Sequence, residues 1–150
     1  MRQASVIWPT QKIMDQGLLI AIALAGIRLI VGFMFFFQGY DKVFNIGLRN
    51  LIQTLHTTLS SGSMSKNVVA PVAVVSSYIE LVAGMLVAIG FLTPYALSAL
   101  CLNLVMVSIG FSKYKPMWDE SHVFVRLILV VTLMISPREW DLFTLEHLIK

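Results

Sequence analysis

The sequence predicts an all-α membrane protein: an antiparallel four-transmembrane-helix bundle with an interfacial amphipathic helix between helices 1 and 2. Three observations carry this. Apolar residues make up 57% of the 150, charged residues only 13%, and mean hydropathy is +0.81, above the range of soluble domains. Four apolar runs stand out, over 17–37, 68–92, 94–111 and 122–136. The first three have the roughly 17–25 residues that a helix needs to cross about 30 Å of hydrocarbon. The fourth is shorter, but Trp118 and Trp140 bracket it 22 positions apart, and interfacial tryptophans so spaced suit a crossing of about 33 Å. Residues 1–150 then form one domain, with spans over 17–38, 68–92, 94–111 and 120–137.

Residues 1–16 read as a short polar lead at the interface, with Trp8-Pro9 in it. Ala23-Leu24-Ala25 resembles a signal-peptide cleavage site, but the apolar run continues well past it, so the first helix is expected to be retained. It ends in Gln38-Gly39-Tyr40-Asp41-Lys42, where Tyr40 and Lys42 can anchor among headgroups. In the long connection that follows, Ile46, Leu48, Leu51, Ile52, Leu55 and Leu59 recur at helical spacing. Arg49, Gln53 and His56 fall on the opposite side, the pattern of a helix lying flat in the interface.

Ser60-Ser61-Gly62-Ser63 should break that helix, and Pro71 should fall in the first turn of the second span, where its missing N–H costs little. Gly90-Phe91-Leu92-Thr93-Pro94 makes a tight link to the third span, with Thr93 as N-cap and Pro94 as first helical residue. So short a link predicts an antiparallel hairpin. Asp119, Glu120 or Ser121 can cap the fourth span, and Pro137 stops it. Four spans put both termini on one side. Arg2, Lys12, Arg138 and Lys150 lie with the termini, against Lys42, Arg49, Lys66, Lys113 and Lys115 opposite. That balance sets no orientation.

Composition also excludes function classes. The net charge of +3 is spread over loops and tails, so nucleic acid is not an expected partner. Cys101 is the single cysteine; it allows neither an intramolecular disulfide nor a CxxC redox pair and reads as a packing residue. Metal-ligand spacing, haem and flavin signatures, nucleophile motifs and phosphate-cradling loops are all missing, so no catalytic or metal-binding residue is assigned.

The informative residues are polar ones at membrane depth. Arg28 sits near the middle of the first run and Glu80 near the middle of the second. A lone charge in hydrocarbon costs about 2.5 kcal/mol or more, so the two are expected to pair. The fourth span adds Arg126, one turn after His122, and the third adds Asn103. With Glu80 given to Arg28, the interior keeps a positive charge and an amide, suited to an anionic or carbonyl-bearing ligand such as a quinone, a lipid headgroup or a small oxyanion. The alternative is structural: an Arg28–Glu80 clasp, with Arg126 reaching toward Asp119 or Glu120. Arg28, Gly32, Phe35 and Gly39 line one stripe, Ala73, Ser77, Glu80, Gly84 and Ala88 a second, and Ala99, Asn103, Met106 and Gly110 a third. Stripes so rich in small residues allow close helix approach.

Two of these segments carry a resemblance. RLIVGFMFFFQGYDKVF resembles the first-helix pattern of the DoxX family, and YIELVAGMLVAIGFLTPYAL its second-helix pattern with the short turn into helix three. Spacing and layout agree over residues 17–140. The resemblance implies a small four-helix inner-membrane protein with a fold akin to vitamin K epoxide reductase. It also implies a role as an accessory membrane subunit, rather than an independent enzyme, of a quinone- or thiol-linked redox system. Arg28, Gly32, Gly39, Lys42, Glu80, Gly84 and Gly90 match the family pattern by position. The chain departs from it at Thr93-Pro94, where a basic residue is common, and at Ser136-Pro137-Arg138-Glu139-Trp140 before Asp141. The implied partners are the lipid bilayer, a soluble or membrane oxidoreductase and a second copy of the chain. No cofactor is intrinsic, quinone is the candidate ligand, and the termini are placed in the cytoplasm. A structural scaffold or small transporter with a structural Arg–Glu core is the competing reading.

Overall fold

Helices follow the apolar runs because a chain in hydrocarbon must satisfy every backbone N–H and C=O internally. The computed structural model describes residues 7–59, 66–112, 121–137, 143–144 and 149, with side chains from residue 16 onward except at the helix ends beside the gaps. Among the described residues there are five α-helices and no strand: α1 (Ile7–Tyr40), α2 (Leu48–Leu59), α3 (Lys66–Ile89), α4 (Thr93–Ser112) and α5 (Ser121–Ile135). A π-helical turn, Asp41–Asn45, prolongs α1 and closes with a bond from the Ile46 N–H to the Asp41 carbonyl at 2.8 Å. Gly47, at φ +77°, then turns the chain into α2.

Two stretches are long and apolar enough to cross a membrane, Gln16–Asn45 with 30 residues and Asn67–Ile89 with 23; Thr93–Ile109 and Val123–Ile135 are shorter apolar helices. The expected polar lead is instead partly helical, since α1 already runs from Ile7. Pro9 lies in its first turn, where an N–H would have no helical partner. Likewise α3 begins at Lys66, so Pro71 falls inside the helix rather than in its first turn.

The α1–α3 contact is the most extensive, and glycines set it. A Cβ built on Gly32 would meet the Ala88 backbone at 2.5 Å, one on Gly39 the Leu81 backbone at 2.4 Å, and one on Gly84 the Phe36 backbone at 2.4 Å. As α1 advances from 32 to 39, its partner residue on α3 falls from 88 to 81, so the two helices run antiparallel. The α3–α4 link is a Schellman turn: Phe91 N–H bonds the Leu86 carbonyl at 3.0 Å and Gly90 N–H the Val87 carbonyl at 3.2 Å, with Gly90 at φ +70°. The expected Thr93 cap is not formed. Leu92 supplies the carbonyl that receives the first helical bond, from Ala96 N–H, and Thr93 Oγ1 is buried without a partner. Further contacts join α4 to α3 and α5, α5 to α1, and α2 to α3.

The core is apolar and built from Val31, Phe35, Val87, Leu100 and Val130 with their neighbours. The outer faces are apolar as well: Leu102 is 71% exposed, and Leu19, Ile30, Ile109 and Ile128 are comparably open. Arg28 and Glu80, in contrast, are 3% exposed. Apolar outside and charged inside reverses the pattern of a soluble domain. On α2, Leu51, Ile52 and Leu55 are half-buried and Arg49, Gln53, Thr54 and Thr57 exposed, so the amphipathic reading holds. His56 is half-buried with the apolar set rather than on the polar face, and Ile46 is exposed in the turn before the helix. On α4 the expected stripe is displaced. Asn103 is buried, but Met106 is exposed, and the inward face is Ala96, Leu97, Leu100 and Leu104. The tract 60–63, Trp118, Asp119, Glu120, Trp140, Asp141 and Lys150 lie outside the described residues, as does the side chain of Gly110's neighbourhood at the end of α4.

Candidate functional site

On α1, Ala21, Leu24, Arg28, Val31 and Phe35 are buried, and Gln38 and Lys42 half-buried, at alternating three- and four-residue steps. Such steps keep side chains on one helix face. The face is apolar except at Arg28 and at its far end, Gln38 and Lys42. What each polar group meets depends on the register with α3.

That register overturns the expected Arg28–Glu80 pair. With Gly39 against Leu81 and Gly32 against Ala88, Glu80 is level with Tyr40, and Arg28 with the α3–α4 turn. At 1.5 Å per residue, the two charges are about 18 Å apart along the axis. Each run is centred near its charge, but glycine contacts, not the centring of runs, set how α1 and α3 align. Glu80 pairs with Lys42 instead, Nζ to Oε2 at 2.5 Å. Its other oxygen, Oε1, accepts a hydrogen bond from Asn103 Nδ2 at 3.4 Å. The cluster thus ties the end of α1 and its π turn to α3 and α4. Glu80 is 3% exposed and Asn103 1%, while the Lys42 side chain, at 22%, opens the cluster toward the surface.

Two acceptors in this region have no donor. Asn103 Oδ1 and Gln38 Oε1 are buried without a hydrogen-bond partner. Glu80 can only accept here, so the Asn103 amide must turn its nitrogen to the carboxylate and its oxygen away. Gln38, one turn before Lys42 on the same face of α1, is level with Val82, about 3 Å along the axis from the level of Glu80. A buried polar atom without a partner costs about 1–3 kcal/mol.

Arg28 is used elsewhere. Its guanidinium donates to the Phe143 carbonyl, where the chain beyond α5 returns to α1. Thr144 is buried there, its Cα 2.9 Å from where a Gly90 Cβ would stand, and Arg28 Nη1 is 3.0 Å from the same point. Arg126 is half-buried on α5 and has no hydrogen bond or ion pair with another described residue; His122 lies in α5, with its side chain outside the description. The structure therefore brings Glu80 together with Asn103 rather than with Arg28, and among the described residues neither bonds to Arg126. Sequence reasoning missed Lys42 as the partner of Glu80, and missed Gln38. The available signal was the three-four stripe, which runs from Arg28 through both.

Apolar outer faces around a few inward-turned charges define a helical protein of membrane type. The family model that matches is DoxX, over residues 23–114; this is more than half of the chain, which belongs to the DoxX family. The matched part takes in Arg28, Gln38, Lys42, Glu80 and Asn103. No curated protein and no solved structure gives a match.

Proposed function

We propose that the protein crosses the cytoplasmic membrane of a bacterium four times as an antiparallel bundle. In this reading it serves there as a non-catalytic subunit or partner of a quinone- or thiol-linked redox system. The observation that carries it is the Lys42–Glu80–Asn103 network, in which Glu80 and Asn103 are buried among helices whose outer faces are apolar. Ionisable groups at such positions are expensive and mark sites of binding or transfer. Four crossings are supported by the α3–α4 hairpin, by the apolar character of α4 and α5, and by Thr144, in the chain beyond α5, lying against the Gly90 turn. A single cysteine gives the chain no dithiol of its own, so a partner must carry the electrons.

A second reading has its own observation. The Lys42–Glu80 pair also staples two helices, as a structural scaffold would require. Purification in mild detergent, with mass spectrometry of co-purifying proteins and extracted lipids, separates the two. The redox reading expects a thiol or sulfur oxidoreductase, a quinone, or both, in amounts comparable to the protein. Their absence from preparations that retain bulk phospholipid would favour the scaffold.

A further inference from the structure

The polar cluster asks for a ligand group that the sequence did not suggest. A quinone presents carbonyl oxygens, which need donors. Within the cluster, Lys42 donates to Glu80 and Asn103 Nδ2 donates to Glu80, while the groups without a partner, Asn103 Oδ1 and Gln38 Oε1, are acceptors. Lys42 keeps further N–H groups that a carbonyl could use, but the two buried acceptors without a donor call for an O–H.

We infer that Gln38 and Asn103, beside the Lys42–Glu80 pair, form a receptor for the hydroxyl group of an uncharged amphiphile, such as a phenol or an alcohol with an apolar body. Charge argues for a neutral ligand, because Lys42 and Glu80 balance each other at 2.5 Å. Surroundings argue for an apolar body, because Phe35, one turn before Gln38 on α1, and Leu100, one turn before Asn103 on α4, are both buried. Access is given by Lys42, whose side chain is the one member of the ion pair that reaches the surface. A hydroxyl donor supplies, one O–H to one oxygen, what each of these amide oxygens lacks, and a site built to accept from it discriminates strongly against an analogue without the proton. The inference rests on the proposed reading only in taking this cluster as a ligand site.

The test uses a long-chain 4-alkylphenol and its methyl ether, which share the apolar body and differ in the O–H. Thermal melting of the full chain in detergent is titrated with each. The expected result is that the phenol raises the melting temperature by several degrees more than the ether. Gln38→Met should weaken the phenol response about tenfold, as loss of one buried hydrogen bond implies. Without probe, the same variant should melt at or above the wild type, because it removes an acceptor that has no donor. Equal protection by phenol and ether would overturn the inference and leave water as the hydroxyl source. So would a Gln38→Met variant with undiminished phenol response. Neither probe needs an electron partner, so failure here leaves the co-purification result standing, and failure there leaves phenol binding intact.

Discussion

Glu80 is held by Lys42 on one oxygen and by Asn103 on the other, and at 3% exposure it cannot reach the surface. Lys42 can, through its 22% exposure. Removing one partner of a buried pair costs about 3–5 kcal/mol when the other charge is stranded, so the two single variants should differ. Lys42→Leu strands Glu80 and should fall in that range in detergent melting. Glu80→Leu should cost less, because the ammonium can extend outward. The double variant should recover much of the Lys42→Leu loss. In contrast, Arg28→Leu and Glu80→Leu should add within about 0.5 kcal/mol, as independent sites do; strong coupling between those two would contradict the register. Gly90→Ala meets Thr144 and Arg28 at 2.9–3.0 Å with φ at +70°, and should lower the melting temperature markedly. At this scale the sequence showed which polar residues are buried, because a charge in an apolar run has nowhere else to go. It did not show their partners, because pairing depends on an alignment that no single helix encodes.

Helix by helix, the alignment is written in three glycines. Gly32, Gly39 and Gly84 stand where a Cβ would enter the facing backbone at 2.4–2.5 Å. Backbone cannot move aside as a side-chain tip can, so alanine at Gly39 or Gly84 must push α1 and α3 apart, at about 1–3 kcal/mol or more. Gly26, with nothing within 4 Å, is the control: Gly26→Ala should be neutral or stabilise by up to about 1 kcal/mol. Equal effects at Gly26 and Gly39, by melting, would mean that the close approach is not what holds the pair. The hairpin and α2 were legible from Gly90-Phe91-Leu92-Thr93-Pro94 and from the 3.6-residue pattern of Leu51, Ile52 and Leu55. The π turn over Asp41–Asn45 was not, since one extra residue in a helix leaves no compositional trace. The early starts of α1 and α3 were missed for a related reason. Polar residues at Ile7–Gln16 and Lys66–Asn67 say where hydrocarbon ends, not where hydrogen bonding stops.

For the whole molecule, the arrangement separates two polar ends. One holds Lys42, Glu80 and Asn103; the other holds Arg28, the Gly90 turn and Thr144, where the chain returns after α5. Membrane character was legible from composition alone, because a mean hydropathy of +0.81 leaves too little polar surface for a soluble domain of this size. The family was legible from two segments in which Gly32, Gly39 and Gly84 make the α1–α3 contact and Lys42 and Glu80 one polar end of it. Orientation was not, because four cations oppose five. The most direct test of four crossings is site-specific labelling of single cysteines, in a Cys101→Ser background, at residues 2, 63, 92, 115 and 150 in sealed cells. With a membrane-impermeant thiol reagent, four crossings predict that 2, 92 and 150 react from one face of the membrane, and 63 and 115 from the other. Residues 2 and 150 on opposite faces, or 63 and 92 on the same face, would contradict it.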